Sequence, residues 1–72
     1  MSSGTQRGIV QKWLEDKGYG FIQPDAGGDN IFVHRTDIND RVATSLSRNE
    51  RVEFSTITTG KGLKAIGVRI LR

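Results

Sequence analysis

The 72-residue sequence has no cysteine, one proline, one histidine and few aromatics: three phenylalanines, one tyrosine and one tryptophan. Without cysteine no disulfide or thiolate zinc site can assist folding, a composition that fits a reducing compartment. A lone histidine with no cysteine beside it makes a poor metal site, because the co-ligands are missing. No apolar run approaches the length of a membrane span, and the opening "MSSGTQR" has no signal-peptide h-region. The expectation is a soluble, cytoplasmic chain with no membrane partner. No segment carries helical periodicity over a useful length. A chain this short forms one domain, near the lower size limit for folding on a single hydrophobic core, which favours a closed barrel or a tightly packed bundle.

What is present reads as short strands. Glycine is abundant, at nine residues, and the apolar residues fall in short runs between turn signals. The expected strands are residues 7–14, 19–23, 30–34, 51–58 and 63–71, after a flexible lead at 1–6, with 7–72 forming the domain. "EDKG" (15–18) closes the first hairpin, with Gly18 able to take positive φ. "PDAGGD" (24–29) closes the second and "TTGKG" (58–62) the last. The polar stretch 36–49 carries the chain across the sheet, with room for one helical turn. Five strands of this length, three of them joined by hairpins, predict an all-β, five-stranded antiparallel barrel.

The stretch "KGYGFIQP" (17–24) places Tyr19 and Phe21 two apart in a glycine-rich run. Alternation puts both on one face of their strand and Gly20 with Ile22 on the other. In the next strand Phe32 and His34 share a face opposite Ile31 and Val33. Ile22, Ile31 and Val33, together with Val52 and Phe54, are natural core residues, so Tyr19, Phe21, Phe32 and His34 are expected to face outward. Exposed rings flanked by cations suit single-stranded nucleic acid: bases stack on ring faces, at about 1–3 kcal/mol per base, while lysine and arginine follow the phosphates. Lys12, Lys17 and Arg35 flank the patch, and Gly18 and Gly20 are expected to keep the surface low between the rings. The net charge of +3, with seven of the eleven cations arginine, is compatible with such a partner but weak support alone.

"KGYGFI" (17–22) and "IFVHRTDI" (31–38) resemble the two nucleic-acid-binding motifs of the cold-shock domain family, in the family's order and spacing. "GIVQKW", "SLSRNERVEFSTI" and "GLKAIGVRI" extend the likeness over nearly the whole chain. The resemblance implies a Greek-key barrel of the oligonucleotide-binding (OB) type. It also implies a single-stranded RNA or DNA partner and action as an RNA chaperone. The implied site is Lys12, Trp13, Lys17, Tyr19, Phe21, Phe32, His34 and Arg35, on a monomer with no cofactor, no small-molecule substrate and no catalytic residue.

This sequence departs from the family pattern in places. Ungapped alignment puts Lys12 where the family has tryptophan, and a straight strand through Val10 and Leu14 would turn Lys12 inward at a cost. A bulge near Gln11-Lys12, or a first hairpin shorter by one residue, that returns Trp13 to the outer face is therefore expected. Arg35 replaces a phenylalanine common in the family and can still stack and pair with phosphate. Ala43 stands where an aromatic is often found, which argues for weaker binding or a shorter footprint. Asn49 occupies a usual glycine position, and asparagine tolerates the left-handed region.

Blander assignments suffice elsewhere. Asp25 and Asp29 flank a turn, Asp37 and Asp40 brace the long loop, and Lys61 and Lys64 are as readily solvated cations as phosphate contacts. "KGYGF" also fits the start of an RRM motif, but an RRM needs two helices. The rival from another class is a protein-interaction barrel that uses the same aromatic face as a hydrophobic patch.

Overall fold

The computed structural model describes residues 5–40 and 44–71. Its strands are β1 (Gln6–Leu14), β2 (Tyr19–Pro24), β3 (Ile31–His34), β4 (Arg51–Thr59) and β5 (Gly62–Ile70), with one 3₁₀ turn at Arg35–Asp37. Every expected strand is present, with each end displaced by one residue at most. Most of the expected lead, at residues 1–4, and Ala43 lie outside the described residues, while Gln6 already belongs to β1.

The strands close into a barrel in the order β1-β2-β3-β5-β4, with β4 back against β1. Four of the pairings are antiparallel, but β3 pairs with β5 in parallel, Phe32 opposite Lys64 and Val33 opposite Ala65. A closed ring of five strands cannot alternate direction throughout, so at least one pairing must be parallel, and the wholly antiparallel expectation is corrected on this point. The long connection delivers β4 beside β1, and the last hairpin returns β5 into the remaining gap next to β3. This is the topology of an OB-type barrel.

The core is apolar among the described residues. Val10, Ile22, Val33, Val52, Phe54, Ala65 and Val68 are buried together, with Ile31 and Leu46 at 4% and 3% exposure, and no polar or charged side chain is buried among them. β2 and β3 alternate strictly between buried and half-buried positions, as the β-branched residues dictate. The aspartates serve structure: Asp25 forms two contacts with the Arg51 guanidinium, at 2.9 and 3.5 Å, and Asp40 Oδ2 accepts from the Ile70 N–H at 3.1 Å.

The long connection is pinned to the barrel by a tight turn. Asn49 adopts φ 73°, its N–H donates to the Val10 carbonyl at 2.8 Å, and the Glu50 carbonyl accepts from the Val10 N–H at 2.9 Å. Asparagine holds a left-handed conformation that costs an ordinary side chain about 1–2 kcal/mol. Asn49→Ala is expected to lower stability by about 1 kcal/mol, seen as a drop in melting temperature of about 4–8 °C for a domain of this size. Asn49→Gly is expected to melt with the parent protein or slightly above it.

Candidate nucleic-acid interface

Tyr19, Phe21, Phe32 and His34 sit half-buried on the outer face of β2 and β3, each alternating with a buried neighbour. Strand pairing sets Tyr19 opposite His34 and Phe21 opposite Phe32. The three rings form a mutually contacting triangle, with centroids 6.3 Å apart for Tyr19–Phe21, 5.5 Å for Tyr19–Phe32 and 6.0 Å for Phe21–Phe32. Two of these pairs meet edge to face and the third is tilted by 37°, so the rings buttress one another.

Pairing extends the face into two rows. One runs Lys12, Phe21, Phe32, Lys64 across β1, β2, β3 and β5; the other runs Leu14, Tyr19, His34. A cation therefore ends the first row on each side. At the far end of the second row, the Arg35 N–H donates to the Gly18 carbonyl at 2.8 Å, and the Arg35 side-chain stem lies over Gly18. Gly18 has φ 73°, a conformation that favours glycine, and the turn brings Lys17 to the same end of the patch. Lys12, Lys17 and Arg35 are exposed and make no ion pair among the described residues.

The His34 ring is oriented by its own backbone. The Thr36 N–H donates to Nδ1 at 3.2 Å, and Thr36 Oγ1 lies 3.0 Å from the same nitrogen. A backbone amide can only donate, so Nδ1 is the acceptor and the neutral ring carries its proton on Nε2.

Two expectations about this face are corrected. The bulge expected near Gln11-Lys12 is present, the register shifting between Val10 and Lys12, but it turns Lys12 outward opposite Phe21 and not Trp13. Trp13 lies opposite Gly20 on the inner side of the pleat, half-buried and packed against the core, with its indole N–H donating to Glu15 Oε1 at 2.8 Å. The bulge adds one residue to β1, and that single step exchanges the faces of Lys12 and Trp13. The expected role of Gly20 changes too. It is buried on the face opposite the rings, where a Cβ would meet the Lys12 carbonyl oxygen at 2.1 Å and the Trp13 ring at 2.8 Å.

Lys64, which the sequence leaves as readily a solvated cation as a phosphate contact, ends the row beside Phe32, with its ammonium 3.1 Å from Asp37 Oδ2. With Lys61 and Leu63 it lines a cleft of about 450 Å³ against Phe21 and Phe32. Leu63, at 53% exposure, is one of the two exposed large apolar side chains among the described residues. The sequence signal for these residues was topological: the last strand has to seal the ring against the free edge of β3, which sets its outward residues beside Phe32.

The chain is thus an OB-type barrel with an outward ring cluster bounded by cations. A family model described as the 'Cold-shock' DNA-binding domain matches residues 6–71. The chain is 41% identical to "Cold shock-like protein CspA" of Bordetella pertussis, over 92% of this chain and 98% of that one. It is 43% identical to "Glycine-rich protein 2" of Nicotiana sylvestris, over 92% of this chain and 32% of that protein. Among solved structures it is similar to "drosophila Unr CSD456", with a TM-score of 0.79 and 26% identity, covering 94% of this chain and 27% of that one. The chain belongs to the cold-shock domain family. Proteins of this family bind nucleic acid.

Proposed function

We propose that this chain is a non-catalytic binder of single-stranded RNA or DNA with low sequence preference. The observation that carries the reading is the cation-bounded row Lys12, Phe21, Phe32, Lys64, adjoined by Tyr19 and His34. Bases stack on Phe21, Phe32, Tyr19 and His34, since every base presents a π-face. Lys12, Lys17 and Arg35 neutralise phosphates along the edges, and Trp13, packed against the core, does not join the stacking face. Binding to unpaired strands draws duplex apart by mass action with no nucleotide hydrolysis, which is RNA chaperone activity. The domain acts as a monomer in the cytoplasm, with no cofactor or small-molecule substrate.

Lysines at both ends of the ring row favour this reading over a protein-docking patch, because the cores of protein interfaces are depleted of lysine. Fluorescence anisotropy of a labelled oligothymidine, set against its duplex with oligoadenine, tests it. The single strand is expected to bind more tightly, with log affinity falling against log salt at a slope of about −0.7 per contacted phosphate, near −2 for three contacts. Equal affinity for the duplex, or a slope near zero, would overturn it.

A further inference from the structure

A second basic cleft adjoins the bulged part of β1 and shares Lys12 with the ring row. It measures about 430 Å³ and is lined by Gln11, Lys12, Trp13, Leu14 and Arg48. We propose that this cleft is an additional phosphate-and-base subsite in which Arg48 grips the strand after it has crossed Lys12. The proposal rests on the single-strand reading above and adds a direction to it, from the rings across β1 toward the long connection.

Position and chemistry support it together. Residues 49 and 50 are bonded to Val10, the residue before the bulge, so Arg48 is held beside the bulged part of β1. The turn carrying Arg48 is internally braced: the Ser47 N–H donates to Glu50 Oε1 at 2.8 Å, the Glu50 N–H donates to the Ser47 carbonyl at 3.1 Å, and Asn49 is left-handed. The carboxylate nearest in sequence is thereby engaged by a backbone amide, and Arg48 makes no ion pair among the described residues. An exposed guanidinium on a fixed turn, facing a cleft shared with a second free cation, suits a phosphate bridged between Lys12 and Arg48. The Trp13 indole supplies an apolar wall for the adjoining base. Among the described residues no acidic side chain lines the cleft, and Glu15, the carboxylate beside it, is engaged by the Trp13 indole N–H at 2.8 Å.

The test is a ladder of oligothymidines, lengthened one nucleotide at a time, titrated against the parent protein, Arg48→Gln and Phe21→Ala/Phe32→Ala. In the parent protein affinity should rise with length to a plateau. Arg48→Gln should bind the shortest strands as the parent does, reach its plateau at a shorter length, and lose about 0.7 from the salt slope on long strands. An unchanged plateau and slope would overturn the subsite. So would a loss equal at every length, because that marks a general field effect and not a contact. Failure of the single-strand reading itself shows elsewhere, as parent-like binding by Phe21→Ala/Phe32→Ala at all lengths. Arg48 is exposed and outside the core, and matched thermal melting of Arg48→Gln verifies that its fold is intact.

Discussion

Phe21→Ala/Phe32→Ala is expected to weaken oligothymidine binding by roughly a hundredfold while leaving the barrel folded. Each base stacked on a ring contributes about 1–3 kcal/mol. The two rings touch, with centroids 6.0 Å apart, so the losses will not simply add. A combined loss near 3 kcal/mol is the reasonable expectation, and at about 1.4 kcal/mol per tenfold it corresponds to two decades. Both rings are half-buried on the outer face and neither belongs to the buried core, so melting should shift far less than binding. Phe21→Leu/Phe32→Leu sharpens the test: leucine preserves an apolar surface but has no flat π-face. If stacking is the mechanism, the leucine pair should lose most of what the alanine pair loses. Retention of parent-like affinity by the leucine pair would show that the patch acts by hydrophobic contact, and less than a threefold loss in the alanine pair would remove the ring face from the binding mechanism.

How far such a face can be read in advance depends on which physical rule sets each residue. Tyr19, Phe21, Phe32 and His34 were legible because strict alternation in two short, regular strands leaves one assignment once Ile22, Ile31 and Val33 are placed inside. Asn49 was legible only through the resemblance, because it stands at a usual glycine position of the family and asparagine accepts the left-handed backbone. Lys12 and Trp13 were not. The need for a bulge followed from parity, but which of two adjacent residues it turned outward depended on its position to within one residue, and here Gln11 is the unpaired residue between Val10 and Lys12. Lys64 was hidden for another reason. It lies more than thirty positions from Phe32, and their pairing is parallel, so no hairpin signals the contact. Arg48 likewise depends on where a long connection is stitched to β1.

Gly20→Ala is expected to be among the most damaging single-methyl changes in the protein, for reasons unrelated to glycine flexibility. Gly20 is not in a left-handed conformation. The obstacle is space: a Cβ there would stand 2.1 Å from the Lys12 carbonyl oxygen, 2.8 Å from Trp13 Cε3 and 3.0 Å from Trp13 Cα. Two of those three atoms are backbone of the paired strand, so no change of rotamer makes room, and β1 must move away from β2 at the bulge. Overpacking a well-filled interior costs about 1–3 kcal/mol, occasionally more, and a backbone obstacle belongs at the upper end. A domain of this size has about 4–11 kcal/mol of stability in total, so a loss near 3 kcal/mol should lower the melting temperature by about 12–24 °C. Gly60→Ala is the matched control. Nothing lies within 4 Å of its Cβ position and its φ is not positive, so it should melt with the parent protein to within about 0.5 kcal/mol. Combining Gly20→Ala with Trp13→Ala separates the obstacles: if the indole were the main barrier, stability would recover relative to Trp13→Ala alone, whereas the 2.1 Å approach of the Lys12 carbonyl predicts that it will not. Parent-like melting of Gly20→Ala would mean that β1 and β2 are not so closely apposed. It would also remove the physical basis for Lys12, and not Trp13, standing beside Phe21.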